Sequence, residues 1–123
     1  MKSYTDLQQS KKLAEFLPIE SADMYWDLLS KDKYAKVNNI GHCLCRTCVY
    51  AWSLAALLNV IPQEIFDGEY ILNITEGCDN RWVLTYDHFE NRHHSYYGLS
   101  SGDDNLVDAC VAMIEKLNKL QIL

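Results

Sequence analysis

The sequence predicts an α+β fold: an antiparallel meander of three to four strands with helices packed on one face. Three observations predict it. Residues 70–74 and 82–86 alternate in polarity with a period of two, residues 106–120 carry apolar side chains at spacings of three and four, and residues 52–60 are almost wholly apolar. Helices grouped around one hairpin, rather than alternating with single strands, argue for segregated helices and sheet.

The first helix is predicted over about residues 6–16. Thr5 and Gln8 have the spacing of a capping box, and Leu7, Leu13, Ala14, Phe16 and Leu17 form an apolar stripe with Lys11 and Lys12 outside it. Pro18 then pushes Leu17 out of helical geometry. A short strand near Ala22–Trp26 and a loop through Lys33–Asn39 follow. The second helix has two acceptable N-caps, Thr47 and Ser53, and ends before Pro62. Trp52, Ala55, Ala56, Leu57, Leu58 and Val60 leave it almost no polar face, so it is expected to be central and buried.

After Asp67-Gly68 the period changes. Tyr70, Leu72 and Ile74, then Trp82, Leu84 and Tyr86, mark two strands, and Glu76-Gly77-Cys78-Asp79-Asn80 between them suits a turn. Ser95–Leu99 adds a third strand. Ser100–Asn105 breaks the sheet and offers caps for a last helix whose Leu106, Cys110, Met113, Leu117 and Leu120 face inward, with Lys116 and Lys119 in its last turns.

The totals bound the function. A chain of 123 residues is expected to form a single α+β domain over 1–123, and no stretch approaches the roughly 20 apolar residues of a membrane span. The polar start, Met1-Lys2-Ser3-Tyr4-Thr5-Asp6, lacks the apolar core of a signal peptide, so a reducing cytoplasm is the expected compartment. An odd count of five cysteines suits it. Seventeen acidic against eleven basic residues give a net charge of −6 without a dense lysine block, which argues against nucleic acid as a partner.

Three blocks carry a resemblance: LPIESADMYW at 17–26, AWSLAALLNVIP at 51–62 and DNLVDACVAMI at 104–114. They resemble, in the same order and over nearly the whole chain, a family of short uncharacterised proteins of gut anaerobic bacteria and their phages and mobile elements. The resemblance implies an accessory protein of a mobile element or its host, with a host-modulating or immune-evasion role if phage-borne. It implies no activity. Where that family has a proline shortly before the second block, this chain carries Cys43, Cys45 and Cys48.

Chemistry has few places to sit. Cys43, Cys45 and Cys48, with His42 or Cys78 as a fourth ligand, have spacings that can converge on zinc and staple an interaction domain; the plainer alternative is buried thiols used as small hydrophobes. Cys48 at the mouth of a helix is also a candidate nucleophile of a cysteine hydrolase, with His88 or His94 (His93 lies beside them) as base and Asp87 or Asn91 orienting it. The imidazoles and carboxylates of Asp87–His94 can ligate metal or contact anions, or form a solvated turn.

The preferred reading is a binding module without a cofactor. Tyr25, Trp26, Tyr50, Trp82, Tyr86, Tyr96 and Tyr97 exceed what a small core needs, and such rings favour interfaces and clefts. Trp82 and Tyr86 are assigned to the sheet interior. Tyr96, Tyr97, Arg92 and Arg81 are the ligand-binding candidates, for a protein partner, a second copy in a homodimer, or a small nucleotide-like ligand.

Overall fold

The computed structural model describes residues 2–31, 33–38, 47–77 and 79–123. Among them, three α-helices and two antiparallel sheets make the fold α+β, and the second sheet is a meander with its strands in sequence order. The chain divides into two compact units, Met1–Asn59 and Val60–Leu123. No helix among the described residues is long and apolar enough to cross a membrane.

In the first unit, helix α1 spans Leu7–Leu13. Its capping box lies one residue later than expected: the Asp6 carboxylate accepts from the Gln9 N–H at 2.8 Å, and the Asp6 N–H donates to Gln9 Oε1 at 3.1 Å. Thr5 is diverted to tertiary structure. Its hydroxyl lies 2.8 Å from Ser10 Oγ and accepts from the Trp52 N–H at 3.1 Å, while its own N–H donates to the Trp52 carbonyl at 2.9 Å. Burial pushes the Asp6 carboxyl upward, but bonds from Gln9 and Lys2 and the Lys2 charge outweigh this and hold it below the ordinary carboxylate value. Asp6→Ala is therefore expected to cost about 1 kcal/mol, read as a lower urea midpoint. That difference should shrink as acid protonates the wild-type carboxylate, because a depressed acid loses its contribution as pH falls through its folded pKa.

A single 3₁₀ turn, Ile19–Ser21, leads from Pro18 to strand β1, Met24–Asp27. β1 is the centre of a three-stranded sheet between β2, Lys36–Val37, and β3, Cys48–Ala51. Of the two possible starts for the second helix, the structure takes Ser53. Ser53 Oγ accepts from the Ala56 N–H at 3.1 Å, and the Asp23 carboxylate accepts both the Ser53 N–H, at 2.8 Å, and its hydroxyl. Helix α2 runs Leu54–Val60. Ala56 and Leu57 are buried, but Ala55 and Asn59 are exposed, so burial of this helix is one-sided rather than complete.

The second unit is built on the order β4-β5-β6-β7: Glu64–Ile65, Tyr70–Glu76, Trp82–His88 and Ser95–Asp103. Directly opposed pairs Tyr70–His88, Leu72–Tyr86 and Ile74–Leu84 share one face. Helix α3, Leu106–Lys119, packs on β6 and β7, where Leu84, Tyr86, Leu99 and Ser101 are buried. Asn105 caps it, accepting from the Val107 N–H at 2.8 Å. Its inward side is Val107, Ala109, Cys110, Val111, Met113, Ile114 and Leu117, while Leu120 lies beyond the helix and is exposed. The third strand runs through Gly102 and Asp103 instead of stopping at Leu99, because the Ser101 hydroxyl, buried under α3, donates to the Ala109 carbonyl at 2.9 Å.

Candidate ligand site at one end of the second sheet

β6 leaves the sheet at His88 and returns as β7 at Ser95, and this turn gathers most of the candidate residues. The Asn91 side chain accepts from the His93 N–H at 3.2 Å, the His94 N–H donates to the Asn91 carbonyl at 2.9 Å, and the His88 N–H donates to the His94 carbonyl at 2.9 Å. His88 Nδ1 accepts from the Glu90 N–H at 3.2 Å, so the ring proton sits on Nε2, which faces Glu69 Oε1 at 3.8 Å. This histidine organises a turn.

On the α3 side, the rings of this end form one cluster. Tyr70 is buried at its centre, edge-on to His88 at 5.5 Å and to Tyr96 at 5.2 Å; Phe66 lies 5.1 Å from Tyr96, and His94 lies 6.1 Å from Tyr70. Phe66 reaches the cluster from a turn in which it holds φ +53°, a left-handed conformation that is uncommon for a bulky residue. Such strain costs about 1–3 kcal/mol and persists where surrounding contacts fix it.

Tyr97 follows a different course. β7 takes five steps from Ser95 to Ser100 while β6 takes two from Thr85 to Asp87, so β7 bulges here, with Gly98 at φ +88°. The bulge turns Tyr97 outward, leaving it 98% exposed, whereas Tyr96 is half-buried in the cluster.

The opposite face holds a cleft of about 140 Å³ lined by Ile71, Leu72, Asn73, Asp87, His88, Phe89 and Arg92. Its charged wall is Asp87, only 9% exposed, whose carboxylate accepts from Asn73 Nδ2 at 3.0 Å and from the Ser95 hydroxyl at 2.6 Å. Phe89 and Ile71, 51% and 43% exposed, supply apolar surface, and the Phe89 ring stacks on His88 at 5.0 Å.

The sequence candidates therefore separate. Tyr96, Tyr97 and Arg92 belong to this end of the sheet. Arg81 lies at the other end of β6, donating to the Gly102 carbonyl at 3.1 Å and facing Asp104 at 3.9 Å. Seven strand residues set the two arginines roughly 20 Å apart along the strand, too far to hold one small ligand.

Cys48 is the first residue of β3, paired with Asp27 and half-buried, not at the mouth of a helix; the dipole expected to lower its thiol pKa begins at Ser53 instead. His88 and His94 belong to the second unit, and Cys48 to the first. His42, Cys43, Cys45 and Cys78 lie outside the described residues, so the zinc reading falls there except for Cys48. Comparison with protein-family models, curated proteins and solved structures finds no match. The resemblance of the three sequence blocks thus rests on the residues alone.

The sequence signal that points to the Asp87 cleft is weak but physical. Alternation puts Trp82, Leu84 and Tyr86 on the helix side, which sends Asp87 to the other face of β6, and the hairpin register brings Asn73 of β5 beside it.

Proposed function

We propose that the protein is a small cytoplasmic accessory protein that acts by binding, and that the ring-rich end of the second sheet is its contact surface. One observation carries this reading: a bulge holds the Tyr97 ring almost wholly in water, one residue from Tyr96 of the packed ring cluster. Exposed Tyr97, with half-exposed Phe66 at the same end of the sheet, supplies the amphipathic area that interfaces favour. Tyr97→Ser tests it. The ring is almost wholly exposed among the described residues, so stability should change by less than about 0.5 kcal/mol. Native mass spectrometry of protein purified from its host should show a bound species or a second copy on the wild type and its loss from the variant. A species retained in full by Tyr97→Ser would move the contact surface elsewhere.

A further inference from the structure

The Asp87 cleft holds two charges that do not pair with each other. Asp87 is nine-tenths buried, yet both its hydrogen-bond donors, Asn73 and Ser95, are neutral, and among the described residues neither Asp87 nor Arg92 makes an ion pair. Two donors occupy about half of the lone-pair positions a carboxylate offers. Among the described residues no cation lies within ion-pair distance of this carboxylate. Arg92 lines the same cleft from an exposed loop position. Ile71 and Phe89 line the space with apolar surface. At about 140 Å³ the cleft has room for roughly five water volumes, well short of the several hundred Å³ that a drug-sized ligand occupies.

We infer that this cleft binds a small zwitterion of the amino-acid class: its ammonium group on the Asp87 carboxylate, its carboxylate on the Arg92 guanidinium, and its side chain against Ile71 and Phe89. The acid supplies a fixed, buried partner for the cation, and the arginine a planar fork that matches a carboxylate. The inference rests on the binding reading above and names a ligand for one part of that surface.

Isothermal titration calorimetry with the free amino acids, and with the matching primary amines and carboxylic acids, tests it. One or more amino acids should bind, and the amine and the acid alone should each bind about tenfold or more weakly, as loss of a charged hydrogen-bonded partner predicts. Asp87→Asn keeps the side-chain shape, because its oxygen can accept from Asn73 while the Ser95 hydroxyl turns to accept from its amide; it should lose about tenfold or more. Arg92→Ala changes only an exposed side chain, so folding is preserved and a similar loss is expected. Amide shifts in NMR spectra should centre on Ile71, Asn73 and Phe89. Failure of every amino acid to bind, or binding unchanged in both variants, overturns the inference. None of these outcomes touches the broader reading, which stands or falls on the species lost with Tyr97→Ser.

Discussion

Replacing Trp52 by alanine is expected to remove about 3–5 kcal/mol of stability, the largest effect of any single substitution considered for this chain. Trp52 is fully buried, and its peptide group is locked on both sides to Thr5: its N–H donates to the Thr5 hydroxyl and its carbonyl accepts the Thr5 N–H. Its indole N–H donates to Ser21 Oγ at 2.9 Å. The side chain therefore fills space and also ties the 3₁₀ turn to the segment that leads into α2. Ser21→Ala separates these roles, since it keeps the ring while stranding the indole N–H and removing the hydroxyl's bond to the Pro18 carbonyl, at an expected cost of about 1–3 kcal/mol. Urea unfolding followed by far-UV circular dichroism reads both. A loss below about 2 kcal/mol for Trp52→Ala would mean that the site collapses around the missing ring, and that the Thr5 clasp alone holds this region.

The same residues show how far local reading carries. Thr5-x-x-Gln8 and Asp6-x-x-Gln9 are overlapping capping boxes, equal by sequence rule. Asp6 takes the role because the Thr5 hydroxyl is claimed by Trp52, 47 residues away, and no local rule contains that partner. Thr47 and Ser53 are likewise both acceptable caps, and Asp23 decides between them by holding Ser53. Once Ser53 starts the helix, Cys48–Ala51 remains extended and pairs with β1, which removes the premise for an activated Cys48. The meander and the last helix are legible because their periods are long and their caps unambiguous. β4 has two residues, too few to show any period. The Ser-Ser-Gly-Asp end of β7 has turn composition, yet the ladder to β6 and the bond from Ser101 to α3 override it.

For the site, residue type located the region and register decided the contacts. Tyr97 is outward because of a bulge that no pattern in Ser95–Ser100 announces except Gly98. Arg81 and Arg92 look equivalent in sequence, as cations flanking one strand, and a strand is long enough to keep them from sharing a ligand. Asp87, read from sequence as a partner for histidine, is held instead by Asn73 and Ser95, residues on two other strands.

Alkaline pH should unfold the second unit before it affects a variant lacking its two buried acids. Burial pushes the Cys110 thiol from 9.0 up to about 12, and burial also raises the Tyr86 hydroxyl above 10.0. Both are neutral in the fold, with Tyr86 donating to the Pro62 carbonyl at 2.7 Å. A folded pKa above the unfolded one means that the stabilisation is complete below the unfolded pKa and is lost as pH rises toward the folded value. The window therefore opens near pH 9, where the unfolded thiol ionises, and runs to about pH 12. Within it, the thiol lowers the unfolding free energy by about 1.4 kcal/mol per pH unit from near pH 9, and the Tyr86 hydroxyl adds the same slope only from near pH 10. Cys110→Ala and Tyr86→Phe each lose some stability at neutral pH, the first by leaving a small void and the second by abandoning the Pro62 carbonyl. Each should nevertheless remove one proton from the alkaline slope, and the double variant should be nearly flat over the same range. Site-resolved alkylation gives an independent reading, because a fully buried, protonated Cys110 reacts only when α3 lifts from the sheet, so its labelling rate should climb in step with the fall in stability. Wild-type stability that stays constant from about pH 8 to about pH 11 would show that water reaches both groups in the folded chain.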